Sequence, residues 1–149
     1  MLRRWAAAGV LLAAACSAGA PRPATLDTAN EACRRCRMMV SDPRFAAQIV
    51  APGDEPVFFD DLGCLRDHLQ AGGRLPAGAA VFVADHRTAE WVEAGRAVFS
   101  RQPGLATPMG SGLIAHRDAA SRDLDPEAKG GGAVPAGEIL GPLAGPGGR

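Results

Sequence analysis

The feature that most constrains the fold of this chain is an alternation of short strand-like and helix-like runs between residues 31 and 128. The first two runs, "RMMVS" and "FAAQIVA", are separated by the turn signal "DPR", which predicts a β-hairpin. A third run, "DEPVFF", predicts a further strand.

A helix is predicted by the stretch that follows, "DDLGCLRDHLQAGG", because its leucines recur at the spacing of one helical face. We expect Asp60 or Asp61 to cap the N-terminus of this helix. We expect Gly72 and Gly73 to end it, since glycine is the residue most often found just after a helix.

The second half of this region repeats the alternation. "AAVFVADH" is typical of a buried strand, and "AEWVEAGRAVFS" predicts two strands around a turn at residues 94–96. "LIAHRDAASRDL" predicts a modest helix. The element order is therefore ββαβ followed by ββα, with one more strand as an option. It predicts an α+β fold of two small ββαβ-type halves packed together.

The chain begins with the pattern of a bacterial lipoprotein. Arg3 and Arg4 precede an apolar run of about eleven residues, which is too short to cross a bilayer and is typical of a signal peptide. The run ends in small residues before Cys16, as in a lipobox. We therefore expect residues 1–15 to be removed and Cys16 to be lipidated. The alternative is an ordinary cleaved signal peptide followed by a spare cysteine.

This N-terminus predicts a protein on the periplasmic side that is anchored to a membrane by its lipid. Residues 16–30 are small, polar and proline-containing, which predicts a flexible tether. Residues 31–128 form the predicted domain, and residues 129–149 a Gly/Pro-rich tail that frays, with one terminal strand as an option. Ser17, directly after the predicted lipidated cysteine, favours the outer membrane.

Charge and motif content argue against several function classes. The 16 basic and 16 acidic residues cancel and no basic block appears, which argues against a nucleic-acid partner. The sequence contains no Ser-His-Asp constellation, no phosphate-binding glycine-rich loop and no HExxH motif. We therefore expect that the protein is not an enzyme.

Cys33 and Cys36 form a CxxC motif, which indicates a metal site, a redox pair or a structural disulfide. A thioredoxin-like pair opens a helix, whereas strand-like residues follow here. On a strand, Cys36 and Met38 would share a face. A thiolate and a thioether are soft ligands, which favour Cu(I). Met39 would then point into the core. The sequence favours a Cu(I) site and leaves the disulfide open.

Further candidate ligands are scattered along the chain. Cys64 and His68 share a face of the predicted helix, where Cys64 is either a ligand or a small buried residue and His68 lies at the surface. Met109 lies in the loop "TPMGSG", where no periodic pattern would bury it. His116 follows on the weakly predicted helix. His86 is expected to be an ordinary polar loop residue.

Taken in order, five segments of the chain resemble the NosL family and cover roughly residues 31–118. They are Cys33-x-x-Cys36-x-Met38, "RFAAQI", "FFDDLGCL", "VADHRTAEWVEAGRAVF" and "TPMGSG" with "IAH" after it. The resemblance implies a Cu(I)-binding lipoprotein linked to nitrous oxide reductase maturation. It also implies two small ββαβ-type halves similar to part of organomercurial lyase.

The resemblance implies roles for particular residues. Cys36 and Met38 match the Cys-x-Met core of the family. Met109 matches the Met-Gly of its later loop, and Cys64 matches a cysteine after "FDD". Family members usually have glycine where this chain has Arg37, and glycine at that position would allow a positive φ.

The residues and the resemblance together predict copper delivery. Cu(I) would bind through Cys36 and Met38, and one of the remaining candidates would complete a low-coordinate site (Met109, Cys33, Cys64, His116). The ion would then pass by ligand exchange to a client cuproprotein or to its assembly complex. A structural lipoprotein with a CxxC disulfide and a thiol oxidoreductase are the alternatives.

Overall fold

The computed structural model describes residues 19–72 and 75–144. The predicted signal peptide and the predicted lipidation site at Cys16 lie outside the described residues, as do Gly73 and the last five residues of the predicted tail. Over the described ranges the chain forms two small antiparallel sheets and three α-helices. The predicted α+β class with two halves is confirmed.

The first sheet contains four strands in the order β2-β1-β3-β4. They are β1 (Ala47–Val50), β2 (Val57–Phe59), β3 (Ala80–Ala84) and β4 (Trp91–Glu93). All neighbouring strands in this sheet run antiparallel. The two central strands, β1 and β3, are buried at most of their positions, as expected for β-branched and aromatic runs that have a strand on each side.

The second sheet contains three antiparallel strands in the order β6-β5-β7. They are β5 (Val98–Arg101), β6 (Leu113–His116) and β7 (Gly132–Val134). A 3₁₀ turn at Ala94–Arg96 leads the chain from β4 into β5. The two strands predicted around residues 94–96 therefore exist, but they belong to different sheets.

Helix α1 (Leu62–Gln70) connects β2 to β3 and is the predicted helix. The side chain of Asp61 accepts a hydrogen bond from the backbone N–H of Gly63 at 2.6 Å, which makes Asp61 the N-cap. The helix ends at Gln70, Ala71 is its C-cap, and Gly72 follows with φ +85°. Two shorter helices, α2 (Ala119–Asp123) and α3 (Ala136–Leu140), lie in the C-terminal half.

The hydrophobic core lies where α1 meets both sheets and α3. Leu62 and Leu65 of α1 are fully buried, and so are Leu113 of β6 and Ile139 of α3. Burial of one such side chain contributes about 1.5–3 kcal/mol to folding. Because the same apolar cluster contains Cys33 and Cys64, the core also positions these two thiols.

The predicted hairpin between "RMMVS" and "FAAQIVA" is wrong. Strand β1 instead forms its hairpin with β2, with Ala47 opposite Phe59. The methionine run makes only an isolated bridge between Ala32 and Met39. Strand propensity fails here because a tight turn around the CxxC motif occupies these residues.

The predicted helix over "LIAHRDAASRDL" is also wrong in its first third. Residues 113–116 form strand β6, and all four are buried. The helix begins only after Asp118, whose side chain accepts the backbone N–H of Ser121 at 2.7 Å. Pairing with β5 overrides the weak helical periodicity.

The C-terminal tail is more ordered than its composition predicts. Strand β7 supplies the optional strand, and α3 follows it where the sequence predicted fraying. Ile139 and Leu140 are 0% and 2% exposed. Tertiary burial of these two apolar side chains offsets the weak local propensity of a Gly/Pro-rich segment.

The C-terminal part of the predicted tether contacts the domain. The backbone N–H of Ala24 donates to the side chain of Gln48 at 2.8 Å, and Ala24 and Leu26 pack against a small apolar cluster. Among the described residues, no helix is both long enough and apolar enough to cross a membrane.

Candidate metal centre

Residues 33–40 form a tight loop that places two cysteines side by side. The backbone N–H of Cys33 donates to the carbonyl of Met38 at 2.7 Å, and that of Arg37 donates to the carbonyl of Cys33 at 3.0 Å. The backbone N–H of Arg34 donates to the carbonyl of Phe58 at 2.8 Å, which ties the loop to β2. The loop is therefore fixed both within itself and to the first sheet.

Arg37 has a φ of +69°, in the left-handed region. A side chain in this region costs roughly 1–2 kcal/mol because Cβ approaches the following carbonyl oxygen. The structure therefore keeps, with arginine, the conformation for which the family resemblance implies glycine. The exposed Arg37 side chain lies next to the predicted ligands Cys36 and Met38.

Cys33, Cys36 and Cys64 meet at one point and are all free thiols. We call these three residues the thiol cluster. Their sulfur atoms all lie within 4.8 Å of one another. Three sulfurs at about 2.3 Å from one ion would be roughly 4 Å apart, so the observed spacing is compatible with a shared metal ion. Cys33 and Cys64 are buried, and Cys36 is half-buried.

The thiols of the cluster differ in acidity. Burial raises the pKa of the Cys33 thiol, yet that pKa lies below its usual value. The cause is hydrogen bonding to the sulfur from the backbone N–H groups of Cys36, Asp60 and Arg35, which stabilises the thiolate. Burial raises the pKa of both Cys36 and Cys64 above the usual value.

These pKa directions determine how a metal would enter. Cys36 and Cys64 stay protonated at neutral pH because their pKa values lie above the ordinary thiol value of 9.0. A metal that binds both must displace both protons. Metal binding at the thiol cluster would therefore depend on pH.

The three methionines in the described part of the chain lie at the surface. Met38 and Met109 are 49% and 45% exposed, and Met39 is 44% exposed. The prediction that Met39 packs into the core is wrong, and Met38 and Cys36 do not share a strand face because no strand forms there. These residues form a turn instead, and the chain returns to the interior at Val40, which is fully buried.

Asp60 and Asp61 connect the methionine loops to the thiol cluster. Asp60 accepts the backbone N–H of Ser41 at 2.8 Å, at the end of the CxxC loop. Asp61 caps α1 with one carboxylate oxygen and accepts the backbone N–H of Met109 with the other, at 3.0 Å. This pair therefore holds the loops of Met38 and Met109 beside the helix that carries Cys64. The sequence predicted only a cap.

Gly63 allows the Met109 loop to lie against the first turn of α1. A Cβ atom at Gly63 would lie 2.8 Å from Cβ of Ser111 in that loop. A glycine in the first turn of a helix was the available signal in the sequence, and it was missed.

His116 does not join the thiol cluster. It ends strand β6 and meets His86 and Asp125, and we call these three residues the histidine cluster. Oδ2 of Asp125 lies 2.6 Å from Nδ1 of His86 and 2.9 Å from Nε2 of His116. Both histidines are 1% exposed, so the prediction of His86 as an ordinary loop residue is wrong.

His68 also lies apart from the thiol cluster. Its ring packs against Phe59, with ring centroids 5.2 Å apart. A cavity of about 550 Å³ opens elsewhere, between β3 and the C-terminal helices, and its lining residues are mostly small and apolar. The described residues that line it include none of the predicted ligand types cysteine, histidine and methionine.

A family model described as NosL matches residues 23–140, most of the chain. The chain belongs to the NosL family. This family is associated with copper, and the thiol cluster of this NosL chain is compatible with metal binding. No curated protein and no solved structure matches the chain significantly.

The region matched by the family model contains all the predicted metal ligands, but the structure places only some of them together. The NosL match includes the CxxC loop, the helix with Cys64 and the loop with Met109. The structure brings together three of the predicted ligands, Cys33, Cys36 and Cys64. It places Met38 and Met109 on exposed loops and places His116 in a separate cluster.

Proposed function

We propose that this NosL chain binds Cu(I) at the thiol cluster and delivers it to a client cuproprotein during assembly of the copper sites of nitrous oxide reductase. The observation that carries the proposal is the convergence of three free thiols, with sulfurs within 4.8 Å, in a member of a copper-associated family. Thiolates are soft ligands, and soft ligands favour Cu(I) among the common cellular metals.

The proposed ligand set divides into a buried and an exposed part. Cys33 and Cys64 would hold the ion from the core side, where both side chains are buried. Cys36 would hold it from the surface side. Met38 and Met109, each nearly half exposed, would supply thioethers at the surface when copper enters or leaves. His116 has no part in this set, because it bonds to Asp125.

This division supports stepwise transfer. An acceptor protein could reach the copper only from the side of Cys36, because the other two thiols are buried. Its ligands would replace the thioethers and then Cys36, and the buried thiols would release the ion last. The side chains of Arg34, Arg35 and Arg37 are exposed on the same loop, so a client with an acidic surface around its copper ligands fits this side.

We further propose that a lipid on Cys16 anchors the protein to a membrane on the periplasmic side, with the outer membrane favoured. The anchor would concentrate the chaperone near membrane-associated assembly partners without any new contact. Mass spectrometry of the purified protein would detect the acyl chains on Cys16. An unmodified mature N-terminus would contradict the anchor and leave the copper proposal standing.

The oxidoreductase alternative is weaker. A catalytic CxxC pair needs an accessible thiol with a depressed pKa. In this loop the pKa is depressed at Cys33, which is 0% exposed, whereas burial raises the pKa of the more exposed Cys36. The thiol that can be reached is therefore the less reactive one.

The test is Cu(I) competition against bathocuproine, on reduced protein without oxygen. We expect one Cu(I) per chain, and we expect Cys36→Ser to weaken binding by at least about tenfold, since removal of a direct ligand costs no less than loss of its supporting contacts. Met38→Leu should weaken binding less and slow transfer to an acceptor chelator.

Met39→Leu is the matched control, because Met39 is the adjacent methionine and is nearly as exposed as Met38. It should leave both affinity and transfer rate unchanged. Absence of Cu(I) binding by the fully reduced protein would refute the proposal. A thiol count under oxidising conditions would then test the disulfide alternative.

A further inference from the structure

The histidine cluster lies where the two sheets meet. His86 follows β3 of the first sheet, His116 ends β6 of the second, and Asp125 caps a 3₁₀ turn after α2. The backbone N–H of His86 donates to the carbonyl of Ala115 at 2.8 Å. Two elements far apart in sequence therefore present imidazole rings to one carboxylate.

The hydrogen bonds within this cluster leave two ring nitrogens without partners. Each histidine directs one nitrogen to Oδ2 of Asp125. The opposite nitrogens, Nε2 of His86 and Nδ1 of His116, are buried and have no hydrogen-bond partner in the described part of the chain. A buried polar atom without a partner is destabilising, so hydrogen bonding alone does not satisfy this cluster.

We propose that His86, His116 and Asp125 form a second metal site, for a borderline divalent ion such as Zn²⁺, separate from the thiol cluster. Two imidazoles and one carboxylate are ligands that Zn²⁺ accepts. One ligand atom from each residue lies within 4.8 Å of the other two, and all three residues are buried. The nitrogen and oxygen ligands distinguish this site from the sulfur site.

Metal binding would also satisfy a partnerless nitrogen. When Nδ1 of His86 binds the ion, its ring proton moves to Nε2, and this N–H becomes a donor. Oε2 of Glu127 lies 3.9 Å from Nε2 of His86, so a small side-chain shift would complete the hydrogen bond. A carboxylate that orients a metal-bound histidine in this way is the usual supporting contact in zinc sites.

The site would connect the two halves of the fold. The ion would bind one ligand from the end of each sheet and a third from the C-terminal segment. A ligand that binds only the folded state raises its stability. The inferred role is therefore structural, and it does not depend on copper binding at the thiol cluster.

The experiment uses the full chain with Cys33, Cys36 and Cys64 all replaced by serine, after removal of metal by a chelator. Zn²⁺ is titrated in competition with a chromophoric chelator, and the melting temperature is measured with and without Zn²⁺. We expect one Zn²⁺ per chain and a higher melting temperature. Added His86→Asn should abolish both effects, and Glu127→Gln should weaken binding about tenfold.

His68→Asn on the same background is the matched control, because His68 is a histidine outside the cluster. It should leave Zn²⁺ binding unchanged. Failure of the serine background to bind Zn²⁺, or equal binding in the His86→Asn variant, would overturn the proposal.

A measurement on the unsubstituted protein covers the case in which the serine background does not fold. Co²⁺ replaces Zn²⁺, because thiolate ligands give Co²⁺ intense charge-transfer absorption and nitrogen and oxygen ligands do not. We expect two Co²⁺ per chain, of which one lacks this absorption and is lost in His86→Asn. A single Co²⁺ with thiolate absorption would overturn the proposal.

Discussion

The thiol cluster and the histidine cluster both gather three candidate ligands, but they differ in access. The thiol cluster lies beneath a surface loop, with one half-buried cysteine and exposed methionines nearby. The histidine cluster is closed, with both imidazoles 1% exposed. A site that exchanges its ion needs an open side, whereas a structural site does not. The difference supports transfer at the first cluster and permanent binding at the second.

The largest expected effect is the pH dependence of copper binding. Cys36 and Cys64 have raised pKa values and are protonated at neutral pH, so Cu(I) that binds the thiol cluster must displace at least two protons. Affinity should therefore rise at least about 100-fold per pH unit between pH 6 and 8, tenfold for each proton displaced. Competition titrations at several pH values measure this slope. A slope near zero would show that these thiols do not bind the ion.

The next largest effect concerns the histidine cluster. Asp125→Asn should destabilise the fold by roughly 3 kcal/mol, because it removes a buried carboxylate that accepts bonds from two imidazoles. Urea unfolding of the metal-free protein measures the loss. Cu(I) affinity should stay unchanged, since His86 and His116 are not in the thiol cluster. A joint loss of stability and copper affinity would contradict the separation of the two clusters.

The same variant has a predicted pH signature. Burial raises the pKa of the Asp125 carboxyl, but hydrogen bonds from His86 and His116 outweigh burial, and the pKa lies below its usual value. A depressed carboxyl pKa contributes stability that is present above the unfolded value of about 4 and is lost as the pH falls through the folded value. The unsubstituted protein should therefore lose more stability below pH 4 than Asp125→Asn does.

A smaller effect distinguishes two ligand sets for copper. Cys64→Ser should weaken Cu(I) binding by at least about tenfold if the ion binds to all three thiols. It should have little effect if Cys36, Met38 and Met109 alone hold the ion. Bathocuproine competition separates these outcomes, and Met109→Leu, measured in the same assay, is the comparison variant. A larger loss in Met109→Leu than in Cys64→Ser would favour the thioether set.

The smallest effect concerns the backbone of the open site. Arg37→Gly should stabilise the fold by about 1 kcal/mol, because glycine relieves the positive φ and the gain exceeds its entropic cost. Arg35→Gly is the matched control, since it removes the same charge from the same loop without a positive φ. Urea unfolding compares the two. Equal destabilisation by both substitutions would show that the strain at Arg37 is not significant.

Local signals in the sequence located the elements that carry the thiol cluster. The aspartate before α1 and the leucine spacing located the helix that carries Cys64. The CxxC motif located the other two thiols. These signals depend only on residues a few positions apart, so they can be recognised in the sequence without knowledge of the fold.

Other parts depended on contacts between distant residues. The turn at Arg37 prevents the strand predicted through Met38, and a strand pairing takes residues 113–116 out of the predicted helix. His86 and Asp125 are 39 positions apart and lie in unremarkable local sequence. No periodicity or motif indicates that they meet.

The sequence by itself determined which candidate ligands are available, because the number and type of sulfur side chains in a CxxC motif, a helix and a methionine loop do not depend on the fold. It also determined the α+β class through its alternating periodicity. Only the tertiary structure decided which of these candidate ligands lie together. Core packing brings Cys64 to Cys33 and Cys36, and the junction of the two sheets separates His116 from them. Burial and long-range pairing act between residues that are not neighbours in sequence, so local patterns do not encode them.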